Sequence, residues 1–302
     1  MSALAACGAD SPGTESGAGP TSTAVTSTTT GYTPVSDVVS HAAIGDDFAA
    51  IKRQLANAKE TKPVDWAAVK TTFSAGGASK KSDGGTRTLA GLVKAPDVVA
   101  YITTAIDGGD GSDAVRAQRV EKGITALLYL KVLDEIEAAK TKVAEAKTDP
   151  NEGAPHNVDE AWAFYTANGN GVQSTAQKRG DDFKKPVDQT VLAALTATQA
   201  AARSGDGQAF ATAQRSVRST LNQTFYLATY KYLDTGGDPT KRAEGESFYL
   251  AIAPIVKKAV APADTALTAA FSTGDAKAGR AALNDPAVVT ALELDTSQII
   301  TT

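Results

Sequence analysis

The sequence predicts an all-α protein, a helical bundle built from two related (duplicated) helical units. Apolar residues recur at helical spacing from about residue 36 onward, and no run alternates in the manner of a strand for long. Proline and glycine separate segments of ordinary helix length, as at Asp238-Pro239 and Asn284-Asp285-Pro286. These observations favour helical hairpins whose apolar stripes face a common core.

Residues 1–35 differ in composition from the rest of the chain. Leu4-Ala5-Ala6-Cys7 resembles the processing site of a bacterial lipoprotein, so we expect a lipid on Cys7. The apolar run of a signal peptide does not precede this site, so we expect the start of the sequence to be truncated. Ala9 to about Thr33 are almost all Gly, Ser, Thr, Ala and Pro, which predicts a flexible tether. No later run is long and apolar enough to span a bilayer. We therefore expect an extracytoplasmic protein, periplasmic or at the cell surface, that meets the membrane only through Cys7; a free cysteine in an unstructured tail is the alternative.

Composition excludes several kinds of site. A net charge of -4 over 302 residues gives no basic surface for nucleic acid and no polybasic membrane segment. The single cysteine excludes an intrachain disulfide and a zinc site built from several cysteines. With only two histidines, His41 and His156, a histidine-rich transition-metal site is not expected. Any metal is expected to be held mainly by oxygen, which favours iron(III), calcium, magnesium or manganese.

The first unit, residues 36–170, is predicted to contain four helices before its central motif. They span Asp37 to Lys59, with a break near Gly45 and a stop at Lys62-Pro63; Trp66 to Phe73, capped by Asp65; Pro96 to Ile106; and about Ser112 to Lys147, ended by Asp149-Pro150. The last of these is apolar over a broad face. Such a face is typical of a central helix with neighbours on more than one side.

A polar, glycine-rich loop over residues 76–89 separates the second and third predicted helices. Lys80, Lys81 and Arg87 stand there among glycines and hydroxyl side chains, a composition that can expose backbone amides to an anion. The lysines do not have the spacing before a helix that a phosphate loop requires. A solvated loop without function is the alternative.

Residues 155–165 contain a histidine, two adjacent carboxylates and three aromatic side chains, and a proline there indicates a helix start. The apolar stripe of this helix is predicted to be buried and consists of Val158, Trp162 and Tyr165. His156, Glu160 and Phe164 recur every four residues on an adjoining stripe, which directs an imidazole and a carboxylate to the same place. The alternative is that Asn157 and Glu160 form a capping-box-like pair and that the aromatic residues are core.

The second half, residues 171–302, repeats pieces of the first. The matching pairs are Gly45-Asp46-Asp47-Phe48 with Gly180-Asp181-Asp182-Phe183, Gly109-Asp110 with Gly205-Asp206, Ala117-Gln118-Arg119 with Ala213-Gln214-Arg215, and Glu160-x3-Phe164-Tyr165 with Glu244-x3-Phe248-Tyr249. This recurrence predicts a duplicated helical unit.

Several enzyme classes lack their motifs in this sequence. No nucleophile motif accompanies His156, no glycine fingerprint lies between a strand and a helix, and no carboxylate pair is singled out for glycoside hydrolysis. What remains is a set of oxygen ligands on helices, with Glu160 and Tyr165 in one unit and Glu244 and Tyr249 in the other. Phenolate and carboxylate favour iron(III). Packed tyrosines with a satisfied hydroxyl are the alternative.

Five runs between residues 65 and 179 occur in a fixed order and belong to a likeness that covers roughly residues 40 to 290. They are Asp65-Trp66, the loop from Ser79 to Leu89, Glu121-Lys122-Gly123, the helix from Asn157 to Tyr165, and Ala176-Gln177-Lys178-Arg179. Together they resemble the low-iron-inducible periplasmic protein family, also called Fe-assimilating proteins. The resemblance implies a secreted or surface-held protein that binds iron, assists its uptake when iron is scarce, and performs no enzymatic turnover.

The resemblance also implies a set of metal ligands. Asp159 and Glu160 become the first candidate ligands for Fe³⁺ or Fe²⁺, with Glu121 and the repeat partner Glu244 behind them. The second unit lacks the Asn-x-Asp-Glu sequence and the Glu-Lys-Gly triplet, so equal metal sites in both halves are not expected. A membrane iron transporter is the expected partner.

An anion site is a further hypothesis drawn from the glycine-rich loop. Arg87 would hold a co-bound anion such as carbonate, which would complete the coordination of a hard ion. Lys80 in the same loop and Arg179 are the other candidates for this role.

Two further functions stay open at the level of sequence. One is a metal-free helical surface lipoprotein acting as a scaffold or partner-binding module, in which Glu160 is a cap and the aromatic residues are core. The other is a carboxylate enzyme of unknown substrate.

Overall fold

The computed structural model describes residues 31–109 and 111–301, so Cys7 and most of the predicted tether lie outside it. The α-helices are α1 Val39–Ala42, α2 Ile44–Ala56, α3 Trp66–Ala75, α4 Pro96–Ile106, α5 Asp113–Ala144, α6 Ala154–Thr166, α7 Gln173–Phe183, α8 Val187–Ser204, α9 Gly207–Tyr232, α10 Pro239–Ala259, α11 Ala261–Thr273, α12 Ala276–Leu283 and α13 Pro286–Ala291. Within the described ranges the only β pairing is one isolated bridge between Lys80 and Thr86. The prediction of an all-α fold is confirmed.

The predicted boundaries of the early helices agree closely with the observed ones. The helix α4 has the predicted limits, and α3 begins at Trp66 after Asp65, whose Oδ1 accepts a hydrogen bond from the amide of Ala68 at 2.9 Å. The break predicted near Gly45 lies instead at Ala43, between α1 and α2. Gly45 itself lies inside α2. A side chain at this position would collide with the backbone of Ala167, so this glycine permits a close contact and does not break the helix.

Five helices form a closed ring around the core. The helix α5 packs against α6 and α10, α6 packs against α8, and α8 and α10 both pack against α9. The 32-residue α5 also contacts α4 and α9, so it has neighbours on several sides, as its broad apolar face predicted. Buried apolar residues from all five helices belong to one continuous core.

The predicted division at residues 170 and 171 runs through this core. α5 and α6 from the first predicted unit pack directly against α10 and α8 from the second. The unit boundaries and the internal duplication therefore stay predictions, while the helical bundle itself is observed. No helix in the described part of the chain is both long enough and apolar enough to span a membrane.

The remaining helices pack around this ring, with α7 against α8 and α9. α1 and α2 pack against α6, and α2 also contacts α3 and α5, while α11 and α13 contact α10. The loop between α3 and α4 folds back over α1: the hydroxyl of Ser79 donates to the carbonyl of Ser40 at 2.6 Å. α1 and that loop therefore lie on the same side of the bundle, next to α6.

Candidate functional site

A cavity of about 350 Å³ lies where α1, α5, α6 and the loop between α3 and α4 meet. Its walls are mostly polar and contain both acidic and basic side chains. The lining residues are His41, Lys81, Thr86, Arg87, Thr88, Gly91, Leu92, Lys131, Glu135 and Glu160.

α6 supplies Glu160 and His156 to this region. The helix begins at Ala154, so Asn157 lies inside its first turns and the predicted capping-box pair of Asn157 and Glu160 is not formed. His156 Nε2 instead lies 3.2 Å from Glu160 Oε1, as the four-residue spacing predicted.

α1 brings the second histidine of the chain to the same carboxylate. His41 Nε2 lies 2.7 Å from Glu160 Oε1, and its side chain is 10% exposed. Its ring meets the rings of His156 and Phe164 edge-on, with centroids 5.9 and 5.8 Å away. The other nitrogen, Nδ1, is buried and has no hydrogen-bond partner among the described residues.

α5 adds a second carboxyl group, that of Glu135. Its Oε1 pairs with Lys131 Nζ at 2.6 Å, and its Oε2 accepts a hydrogen bond from the amide of Asn157. The same amide lies 3.3 Å from Glu160 Oε2 and so bridges the two acids. We call His41, Glu135, His156 and Glu160 the imidazole–carboxylate cluster.

The two carboxyl groups of this cluster have opposite pKa shifts. Burial, together with the nearby charge of Glu160, raises the pKa of Glu135 to about 7. Burial also acts to raise the pKa of Glu160, but hydrogen bonds with His156, His41 and Glu135 outweigh it and hold that pKa well below its usual range. The hydrogen bond with Glu160 raises the pKa of His156 in turn. Glu160 therefore stays ionised, and Glu135 is the acid of the pair that gains or loses a proton near pH 7.

The loop between α3 and α4 provides the basic wall of the cavity. Asp47 of α2 accepts hydrogen bonds from the amides of Gly77 and Ala78, both at 3.2 Å, and these contacts anchor the loop. Arg87 reaches His41 Nε2 with one nitrogen and the carbonyl of Lys80 with another, and burial lowers its pKa. The loop is thus anchored over α1 and forms one side of the cavity, while its residues 80–85 are exposed to solvent.

Asp159 and Glu160 are adjacent in sequence but point to different surroundings. The side chain of Asp159 is fully buried, and its oxygens accept hydrogen bonds from residues that precede α1 and from Gln199. Neighbouring positions on a helix do not face the same way. The structure therefore places Glu160 at the cavity and Asp159 away from it.

Glu121 and Glu244 lie together at a different place, next to a lysine. Lys122 Nζ is 2.8 Å from Glu121 Oε1 and 3.6 Å from Glu244 Oε1. The pKa of Glu121 is lowered because Lys122 outweighs the opposing effect of burial. A lysine ammonium already occupies the position between the two carboxylates.

The remaining predicted residues lie outside the cavity lining. Tyr165 and Tyr249 donate their hydroxyls to Asp188 and Asp264 at 2.8 and 2.7 Å, and burial raises the pKa of both phenols. Arg179 is buried and pairs with an aspartate of its own helix at 2.8 Å. Lys80 is exposed, and its ammonium donates to Thr86 Oγ1 at 3.0 Å.

Sequence reasoning missed His41, Glu135 and Lys131 as residues of this region. His41 lies on the four-residue α1 and no local motif marks it. Glu135 carried a detectable signal, because it continues the stripe of Leu128 and Val132, and a charged residue on a buried stripe requires partners.

The donor atoms of the cluster contact one another instead of surrounding a common point. In residues 31–109 and 111–301, no group of three or more His, Cys, Asp or Glu side chains meets the geometry for holding a metal ion. A metal here would have to replace the contacts of Glu160 with His41 and His156. The chemistry of the donors nevertheless fits iron, since imidazole and carboxylate are both ligands that iron takes, and the buried Nδ1 of His41 is unsatisfied.

The fold and the cluster together define an all-helical protein with a buried imidazole–carboxylate site beside a cation-lined cavity. The chain belongs to the low iron-inducible periplasmic protein family, whose model matches residues 3–184, more than half of the chain. The protein is therefore extracytoplasmic. Comparison with curated proteins and with solved structures found no match.

The family match covers a shorter stretch than the sequence resemblance predicted. It ends at residue 184, directly after α7, whereas we expected the likeness to continue to about residue 290. All four residues of the imidazole–carboxylate cluster, and Arg87, lie inside the matched stretch. Glu244 and Tyr249 lie beyond it.

Proposed function

We propose that this protein binds iron at the imidazole–carboxylate cluster and assists iron assimilation outside the cytoplasm, without enzymatic turnover. The observation that carries the proposal is the convergence of both histidines on Glu160, 2.7 and 3.2 Å away, beside the second acid Glu135. Membership of a family named for its response to low iron supports the choice of metal. Iron is the cargo in this proposal.

The basic wall of the cavity supports a co-bound anion such as carbonate. Arg87, Lys81 and Lys131 line the same cavity as Glu160, together with the hydroxyls of Thr86 and Thr88. An anion between these cations and the metal would offset charge and supply a further oxygen ligand. We propose Arg87 as its principal contact.

We propose one iron site per chain. The second-half counterpart of Glu160 in the predicted duplication is Glu244, which lies beside Lys122 and has no histidine near it in the sequence. The donors that favour iron at Glu160 are therefore missing at Glu244. The predicted duplication would then have kept the helices and only one of the two sites.

We also propose how the protein is held at the membrane and where its iron goes. Cys7 would carry the lipid anchor, and a membrane iron transporter would receive the bound iron. Fatty-acid labelling of the expressed protein that persists in Cys7→Ala would contradict the anchor.

The proposal is tested by calorimetric titration of iron(III), supplied as its nitrilotriacetate complex, and of anaerobic iron(II). The protein should take up one iron ion per chain. Glu160→Gln should lower the affinity by more than about 100-fold, beyond the usual cost of losing a group that only orients a ligand. Glu244→Gln is the matched control and should bind as the wild type does.

Bicarbonate is the second variable of that titration. Omitting it should weaken iron(III) binding, and Arg87→Gln should remove this dependence. The control Arg242→Gln, on α10 and outside the cavity lining, should keep it. If a folded wild-type protein binds neither form of iron, the metal-free scaffold or partner-binding lipoprotein becomes the better description. If Glu160→Gln binds normally, the site lies elsewhere.

A further inference from the structure

A short segment before α1 packs against α6 on the side that carries Asp159 and Trp162. We call residues 31–36 the N-terminal strap. Its Tyr32 ring stacks on Trp162 with centroids 5.5 Å apart and an interplanar angle of 14°. The hydroxyl of Tyr32 donates to Asp159 Oδ1 at 2.6 Å. The strap is thus fixed to the helix that carries His156 and Glu160.

Asp159 is the acceptor that organises the strap. Its Oδ1 accepts from Tyr32 and from Gln199 Nε2, the latter also at 2.6 Å. Its Oδ2 accepts from the amides of Val35 and Ser36, both at 2.8 Å, and from the hydroxyl of Ser36 at 2.7 Å. Five donors converge on one buried carboxyl group.

The hydroxyl of Ser36 also contacts the imidazole of the cluster. Its Oγ lies 2.9 Å from His156 Nδ1. A serine hydroxyl has one hydrogen to donate, and a carboxylate can only accept. Because Ser36 donates to Asp159, its lone pairs are left to face His156, and His156 must donate through Nδ1.

We infer that Ser36 is a positioning residue of the iron site: its hydroxyl, oriented by Asp159, keeps the hydrogen of His156 on Nδ1 and leaves Nε2 for the metal. The inference rests on the proposed function. Nε2 already faces Glu160 Oε1 at 3.2 Å, on the side of the cluster. In the metal-free protein Nε2 also carries a hydrogen where it meets the Glu160 carboxylate, since a carboxylate can only accept. Iron bound at Nε2 would replace that hydrogen, which would leave to solvent as a proton, while the hydrogen on Nδ1 would remain donated to Ser36.

The other tautomer explains why such a residue is needed. With its hydrogen on Nε2, a neutral His156 would donate to Glu160, and its lone pair would lie on Nδ1, on the side of Ser36 and away from the cluster. Ser36 is the hydrogen-bond partner of Nδ1 among the described residues. If its hydroxyl is removed, no described group holds the hydrogen on Nδ1, and the hydrogen can move to Nε2. Asp159 therefore acts on the site through Ser36, although its own oxygens face away.

The test uses three variants of the full chain. Ser36→Ala removes the hydroxyl, Ser36→Thr retains it, and Tyr32→Phe is the matched control because it removes a different donor to Asp159 and leaves His156 untouched. Circular dichroism checks that each variant is folded. Nitrogen NMR of ¹⁵N-histidine protein is readily assigned, because the chain contains only His41 and His156.

The first readout is the state of His156 in metal-free protein. We expect a protected Nδ1–H signal in the wild type, in Ser36→Thr and in Tyr32→Phe, and its loss in Ser36→Ala. The second readout is affinity for gallium(III), a diamagnetic ion that replaces iron(III) in the NMR experiment. Ser36→Ala should weaken it by about 10–100-fold, the range typical for losing a group that orients a metal ligand.

The outcomes separate the two claims. A Ser36→Ala protein with unchanged spectrum and unchanged gallium affinity overturns the inference. A gallium-loaded wild-type protein whose His156 lacks a hydrogen on Nδ1 overturns it as well, even if Ser36→Ala does not fold. Failure of wild-type protein to bind iron or gallium contradicts the proposed function, while the metal-free spectra still report whether Ser36 sets the tautomer.

Discussion

At the scale of single residues, the site is defined by where protons lie. Glu135 is buried and Glu160 is largely so, but the two histidines stabilise the charge of Glu160, so Glu135 is the acid that takes up a proton near pH 7. A metal cation would displace that proton, because it favours the ionised form of both acids.

The proton on Glu135 makes the stability of the metal-free protein depend on pH. Its pKa is about 7 in the folded protein and lower when unfolded, so its contribution to stability is present at low pH and is lost as pH rises through 7. Glu135→Gln should therefore show a smaller loss of unfolding free energy between about pH 5 and 8. His156, whose pKa is also raised, remains in both proteins. Urea unfolding at several pH values measures this, and parallel profiles would contradict it.

The tyrosines give a second prediction at this scale. Tyr165 and Tyr249 donate to aspartates, and burial raises the pKa of both phenols, which disfavours phenolate. The iron(III) form should therefore lack the visible phenolate-to-iron absorption band that the sequence-based tyrosine ligands would produce. Spectra of Tyr165→Phe and Tyr249→Phe should match the wild-type spectrum. An intense visible band lost in either variant would restore that tyrosine as a ligand.

At the scale of elements, helix α2 and the turn after α6 approach each other unusually closely. A Cβ atom built on Gly45 would lie 1.8 Å from the carbonyl oxygen of Ala167. The two backbone segments could not stay this close if residue 45 carried a side chain. Gly45 thus fixes α2 against the end of the helix that carries Glu160.

Substitution of Gly45 tests this contact. Gly45→Ala should destabilise the protein by about 1–3 kcal/mol, the range for overpacking, although alanine is intrinsically the better helix former. Gly207→Ala at the start of α9 is the control, since its Cβ would meet nothing within 4 Å. It should be neutral or slightly stabilising. Thermal unfolding of both variants decides the matter, and equal melting temperatures would refute the close approach.

Local patterns predicted elements well and the site only in part. The Asp65 cap, the limits of α4 and the pairing of His156 with Glu160 all follow from interactions within a few residues, which sequence spacing specifies. The approach of His41 depends on α1 packing against α6, and no spacing rule encodes that contact. Adjacent Asp159 was expected at the site, but its donors come from the strap and from α8, which are distant in sequence.

At the scale of the whole molecule, the ring of five helices has no internal boundary. α5 contacts α6, α9 and α10, and two of these helices lie in the second predicted unit. The core is shared between the halves, so neither half contains all the partners of its own long helix.

A fragment of residues 36–170 tests this dependence. We expect it to be helical but without fixed tertiary packing, because α5 would lack α9 and α10. Far-ultraviolet and near-ultraviolet circular dichroism distinguish these states, and the chain from residue 31 to 302 serves as the control. A fragment with native near-ultraviolet signal and cooperative unfolding would establish the predicted boundary at residue 170 instead.

The closure of the ring by α10 also bears on how the protein reaches its compartment. For a chain exported unfolded with its N-terminus first, α5 emerges long before α10 and has one side uncovered in the meantime. During that time, proteases and chaperones outside the cytoplasm would have access to the uncovered side of α5. The length of the exposure would be the interval between the emergence of α5 and that of α10. For a chain exported in this way, slower export would lengthen the time during which α5 stays uncovered, whatever the stability of the finished bundle.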